Sequence, residues 1–145
     1  MAKSTFVYVT YIRTTPQKLW HALTDREFSK QYWFGACCDS DFKTGSPWRL
    51  VFDDGRVADS GEILESDPPK RLVIKWFNQW SPELKAEGES RCVMDLEPSG
   101  EAVKLTITHS MERGNSQLIE KVGGGWPKIL SNLKSLLETG EVILQ

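Results

Sequence analysis

Five side chains of this 145-residue chain are of the soft kind that holds metals or attacks carbonyls: His21, His109, Cys37, Cys38 and Cys92. A tetrahedral metal site draws its ligands from short local pairs such as Cys-x-x-Cys or His-x-x-x-His, and the chain has neither. Cys37 and Cys38 are adjacent in a segment that reads as a strand. Their side chains then point to opposite faces, which prevents them from gripping one ion. Nucleophilic chemistry has no local support either, because no Gly-x-Ser-x-Gly elbow occurs. Gly123-Gly124-Gly125 lacks the Gly-Lys-Ser/Thr ending of a phosphate loop and reads as a hinge or a close helix-to-sheet approach. The expectation is a protein without metal or cofactor that holds something rather than one that breaks bonds.

What the chain has in excess is aromatic surface. Six tryptophans, Trp20, Trp33, Trp48, Trp76, Trp80 and Trp126, are spread over nearly every element. Each large ring buries on the order of 150–250 Å², so they must either fill a core or line a cavity. Trp33, Phe34, Trp48, Phe52, Trp76 and Trp126 are the aromatic candidates for a cavity wall. Ile63, Met94, Ile107 and Leu130 share their faces and complete it. His109 falls in strand parity with Val103, Leu105 and Ile107. It reads either as a satisfied core residue or as the polar group that orients a ligand. Glu62 and Glu65 read as solvated, or as paired with Arg56 or Arg71.

The elements that must position these residues follow from patterning. Phe6 to Ile12 is β-branched and aromatic, hence a strand; both its faces are apolar, so it is covered twice or forms a dimer edge. Thr15 caps a short helix that starts with Pro16, and Asp25 caps a second one through Tyr32, broken by Gly35. Strands follow at Trp48–Phe52, Arg56–Glu65, Lys70–Phe77, Arg91–Glu97 and Glu101–Met111, separated by Gly and Pro turns. Asn78 to Gly88 reads as a polar loop. From about Ser116 to Glu138, Trp126, Ile129, Leu130, Leu133, Leu136 and Leu137 keep helical spacing, with Lys128, Asn132, Lys134 and Glu138 opposite. The three glycines predict a kink or break, and Gly140 predicts the stop. The result is one α+β domain spanning 1–145. An antiparallel sheet of about six to seven strands carries two short helices after the first strand, and one long C-terminal helix covers its apolar face.

The bulk properties narrow the function. A net charge of −2 and a pI near 5.7 give no electrostatic footprint for nucleic acid. No segment approaches the roughly 18 to 20 apolar residues of a membrane span. The N-terminus lacks the pattern of a signal peptide, and three cysteines make no disulfide framework, so a cytoplasmic location is expected.

Three stretches resemble a known family. They are Thr15-Pro-Gln-Lys-Leu-Trp-His-Ala-Leu-Thr-Asp25 with Tyr32-Trp33-Phe34-Gly35; Gly61-Glu-Ile-Leu-Glu-Ser-Asp-Pro-Pro-Lys-Arg-Leu-Val-Ile-Lys-Trp76; and Gly125-Trp-Pro-Lys-Ile-Leu-Ser-Asn-Leu-Lys-Ser-Leu-Leu-Glu-Thr-Gly140. In order and spacing they are similar to the heat shock protein 90 ATPase activator homologues, within the SRPBCC superfamily of START-like domains. The resemblance implies a helix-grip fold with a deep cavity between sheet and long helix. It also implies two functional readings. One is non-catalytic binding of a small hydrophobic or aromatic ligand; the other is a stress-related, co-chaperone-like module that meets a heat shock chaperone. A homodimer through the first strand is a further expectation.

Overall fold

The computed structural model describes residues 3–145. Nine residues without a charge, rich in Val, Thr and Tyr, make the first strand, β1 (Ser4–Ile12). Two short helices follow, α1 (Pro16–Thr24) and α2 (Arg26–Tyr32). Each starts where a side chain can satisfy a free helical N–H. Thr15 Oγ1 accepts from Lys18 N at 3.2 Å, and Asp25 Oδ2 accepts from Phe28 N at 2.8 Å. Next come β2 (Ala36–Ser40), β3 (Pro47–Phe52), β4 (Val57–Asp67) and β5 (Arg71–Asn78). After a short α3 (Pro82–Ala86), β6 (Ser90–Ser99) and β7 (Ala102–Met111) lead into the 23-residue α4 (Gln117–Thr139).

The seven strands form one antiparallel sheet in the order β1-β7-β6-β5-β4-β3-β2. Only the first strand is out of chain order, and it pairs with the last. The sheet curves around α4, whose stripe of Trp126, Ile129, Leu130 and Leu133 is buried against it. Alternation along the strands supplies the opposing face: Leu72, Ile74 and Trp76 on β5, Cys92, Met94 and Leu96 on β6, and Val103, Leu105, Ile107 and His109 on β7 are all buried.

Three expectations change. The stretch from Asn78 to Gly88 is not merely a loop, since it holds α3, capped by Ser81 with Pro82 at its start and Leu84 buried beneath it. Five residues are too few for hydrophobic periodicity to register. The three glycines do not break α4, which runs through them without interruption. They serve close approach instead: a Cβ on Gly123 would sit 3.0 Å from Phe6 Cδ1 of β1. Asn132 is not on the solvent face but is buried under the C-terminal tail. Its Oδ1 accepts from Ile143 N at 3.0 Å and Leu144 N at 2.8 Å, and its Nδ2 donates to Leu144 O at 3.0 Å. A polar residue in helical register with the polar face was thus the anchor for the chain beyond Gly140.

Candidate functional site: a tryptophan-walled cavity

The centre of the molecule is a cluster of four indole rings and one imidazole. Trp48 packs against Trp76 with ring centroids 4.5 Å apart and planes tilted by 45°. Trp76 lies 5.9 Å from Trp126 and 6.1 Å from Trp33, and Trp33 meets Trp126 edge-on at 5.4 Å. The rings come from β3, β5, α4 and the end of α2, so the cluster ties both short and long helices to the middle of the sheet. Gly61 permits it. It pairs with Trp76, and a side chain there would collide with the backbone carbonyl of Lys75, only 1.7 Å from the Cβ position.

His109 sits behind this cluster, fully buried, with its ring centroid 5.1 Å from that of Trp76. Trp126 Nε1 donates to its Nδ1 at 3.1 Å, so the proton of the neutral ring is on Nε2, which donates to Ser90 Oγ at 2.7 Å. Ser90 Oγ in turn donates to Trp76 O at 3.4 Å. Burial drives the His109 pKa down to about 3. It is a neutral, doubly satisfied residue of the core. Of the two roles open to it in the sequence, the geometry gives it the structural one.

The cavity opens on the other side of the cluster, at one end of α4 instead of along its length. Its volume is about 160 Å³. Trp33, Trp76 and Trp126 form the inner wall, and Leu118, Val122 and Ile129 of α4 together with Leu84 of α3 form the rest. Gly125 thins the helix wall there. Trp80, 56% exposed, and Lys121, whose Nζ stands 5.7 Å from the Trp80 ring centroid, flank the mouth. Glu87 holds this end together. Placed at the end of α3, it accepts from Gln117 N at 2.9 Å, Leu118 N at 3.2 Å and Ser116 Oγ at 2.7 Å, capping α4 from outside. Its own burial pushes its pKa up, but these hydrogen bonds outweigh that and leave it below the ordinary value.

Asp59 on β4 and Asn78 on β5 are the polar groups of the inner wall. Asp59 is 6% exposed. Its Oδ1 accepts from Asn78 Nδ2 at 3.4 Å, while Asn78 Oδ1 accepts from Trp80 N at 3.2 Å and Ser81 N at 2.9 Å. Burial raises the Asp59 pKa to about 6, and hydrogen bonds from Trp76 and Asn78 only partly restrain it.

Of the residues expected to line a cavity, the structure places Trp33, Trp76 and Trp126 at this one. Trp48, Ile63, Met94, Ile107, His109 and Leu130 are packed in the core instead, where the rings have taken the space between sheet and helix. Phe52 is half-buried at a different surface, with the Arg56 guanidinium 4.6 Å from its ring centroid. Phe34 is 44% exposed, turned out by a left-handed backbone (φ 52°) at the end of α2. Asp59, Asn78 and Lys121 were not singled out by the sequence. An aspartate in the same parity as Gly61 and Ile63, at an inward-facing position of β4, was the available signal. Glu65 does pair with Arg71, at 3.4 Å, whereas Arg56 turns to Asp54. Burial pushes the Cys38 thiol up to about 12 and raises that of Cys92 as well, which disfavours their reactive thiolates.

A curved antiparallel sheet gripping a C-terminal helix, with an apolar cavity at one end, defines the helix-grip class. Residues 13–138 match the family described as activator of Hsp90 ATPase homolog 1-like protein, and the chain belongs to that family. No curated protein matches it. Among solved structures it is similar to CalU16 from Micromonospora echinospora (24% identity, TM-score 0.74, covering 94% of this chain and 77% of that one). It is similar to the Aha1 dimer from Colwellia psychrerythraea (20%, 0.77, covering 94% and 98%). A third is PFC0360w, an HSP90 activator from Plasmodium falciparum (22%, 0.70, covering 92% and 95%). These likenesses carry the fold. No helix among the described residues is long and apolar enough to cross a membrane.

Proposed function

We propose that the chain binds a small, largely apolar ligand, without chemistry, in the cavity between α3, the end of β5 and the first half of α4. The observation that carries this is the cavity itself. An apolar cleft of about 160 Å³, open to solvent beside Trp80, is walled on its inner side by three tryptophans, next to a ring cluster that otherwise packs on itself. Apolar cavities of about 150 Å³ take up benzene-sized solutes. Trp33, Trp76 and Trp126 are the residues proposed to touch the ligand. The test is a titration of intrinsic tryptophan fluorescence with single-ring compounds, alongside native mass spectrometry of protein from its own host. Quenching that saturates, or a retained small molecule, is the expected result. An empty protein that no compound quenches would remove this reading.

A second reading, self-association, is favoured by β1. Among the described residues this strand pairs only with β7, its Tyr11 carbonyl accepts from Lys134 Nζ at 2.6 Å, and it carries no charge along nine residues. Val7, Val9 and Tyr11 are 54%, 44% and 51% exposed on it. Long uncharged edges of this kind invite pairing with another chain. The Colwellia relative is described as a dimer, and the family description names activation of a heat shock ATPase. Light scattering after size exclusion should give twice the chain mass for the wild type and the single mass for Val9→Lys. Adding a heat shock protein 90 separates the two partners, because a chaperone-bound species lost in Val9→Lys would assign the patch to that partner.

A further inference from the structure

The Asp59 carboxylate lies on the inner wall of the tryptophan-lined cavity, and among the described residues it makes no ion pair. Burial acts on it most, opposed by hydrogen bonding to Trp76 and to Asn78, whose Nδ2 stands 3.4 Å from its Oδ1. The charged groups lining the cavity are Asp59 on its inner wall and Lys121 at its mouth, and Lys121 has its ammonium over the Trp80 ring. The rest of the cavity wall is indole, amide or aliphatic, with Trp76 and Asn78 from β5, Trp126 and Ile129 from α4 and Leu84 from α3. A lone buried carboxylate is costly, and the cost is relieved when a cation is brought to it. Indole faces add to the same preference, since their negative π surface attracts ammonium groups, more strongly where water is excluded.

We infer that the cavity selects small aromatic amines in their protonated form, with the ring packed among Trp33, Trp76 and Trp126 and the ammonium on Asp59. The inference rests on the ligand-binding reading above and narrows it to one chemical class. A carboxylate ligand is repelled by the same Asp59, and a neutral one gains the ring packing alone. The volume admits one six-membered ring with a short arm, so the class is that of benzylamine.

The test is calorimetric titration of the wild type and of Asp59→Asn at pH 7.5 with benzylamine, benzyl alcohol, toluene and benzoate. Desolvated charge pairs at protein interfaces are strong enough that the wild type should prefer benzylamine to benzyl alcohol by on the order of tenfold or more. Asp59→Asn should bind the two alike. Asp59→Ser serves should the asparagine variant not fold. Independently of any variant, the carboxyl carbon resonance of Asp59 should titrate at lower pH with benzylamine present than without it. Benzyl alcohol or toluene binding as tightly as benzylamine, benzoate binding tightest, or a preference that survives in both variants would each overturn the amine class while leaving the cavity a ligand site. If none of the four binds, the ligand-binding reading falls with it.

Discussion

Trp126 Nε1 donates to His109 Nδ1 at 3.1 Å, joining the helix to the strand behind it through a hydrogen bond between two buried side chains. The bond does two things. It satisfies a buried indole donor, and it determines which nitrogen of the imidazole carries the proton, hence the bond to Ser90. Trp126→Phe removes the donor and leaves Nδ1 as a buried acceptor without a partner. Stranding such a group costs about 1–3 kcal/mol, and losing part of a packed ring adds to it. Urea unfolding at pH 7.5 should show that loss with the slope unchanged. A change below about 0.5 kcal/mol, within the ordinary range of surface substitutions, would mean the bond contributes nothing.

Asp59 and His109 have opposite effects on the pH dependence of stability. Asp59 ionises at about 6 when folded against an ordinary 3.8, so the folded state holds the proton that the unfolded chain gives up. Its penalty is full above pH 6, about 3 kcal/mol, and disappears as the pH falls towards 4. His109 ionises at about 3 when folded against 6.5, so below pH 6.5 the unfolded chain takes up a proton that the folded one refuses. That lowers stability as the pH falls. Between pH 6 and 4 the two slopes, each about 1.4 kcal/mol per pH unit, offset one another. Asp59→Asn should therefore be more stable than wild type at pH 8, by about 2–3 kcal/mol. It should also lose stability more steeply below pH 6. Parallel curves for the two proteins across pH 4–8 would contradict the assignment.

The fold was legible because its signals are local and repeated. Alternation in Leu72–Ile74–Trp76 and in Val103–Leu105–Ile107–His109, the caps Thr15 and Asp25, and the helical stripe from Trp126 to Leu137 each specify an element on their own. The site was half legible. Composition pointed to an aromatic wall, but which rings face a void and which face each other depends on how α4 lies across the sheet. Gly123 lets α4 come close to Phe6 of β1, and Gly61 lets β4 come close to Lys75 of β5, long-range approaches with no sequence pattern. Asp59 escaped for another reason. It shares the inward parity of Gly61 and Ile63 through an unshifted stretch of the β4–β5 pairing, but a charged residue adds nothing to the apolar periodicity that marks an inward face.

Glu87 caps α4 across a gap of about thirty residues, so its loss should be felt at both the helix start and the cavity. Glu87→Gln keeps the shape but replaces two charge-assisted acceptors by one neutral carbonyl, and Glu87→Ala removes both. Losses of about 0.5–2 kcal/mol are expected for such caps, larger in the alanine variant. The folded pKa of Glu87 lies below its ordinary 4.5, so its contribution is present above that value and fades as the pH falls through the folded pKa. Amide hydrogen exchange should accelerate first at Gln117 and Leu118. Unchanged exchange there would show that Ser116 caps the helix without help.

The three glycines of α4 make separable predictions because their surroundings differ. Gly124 has open space where a Cβ would sit, and alanine is the better helix former by about 0.8–1.0 kcal/mol, so Gly124→Ala should stabilise by close to that amount. Gly123→Ala gains the same propensity but must displace the Phe6 ring 3.0 Å away, so its melting temperature should fall below that of Gly124→Ala. Gly125 also has open space at its Cβ, yet it lines the cavity. Gly125→Leu should fold at least as stably as wild type while its side chain occupies the void. The signature of the site is thus a variant that gains stability and loses the quenching of tryptophan fluorescence by single-ring compounds. If Gly125→Leu binds those compounds as wild type does, the ligands are held elsewhere on the molecule.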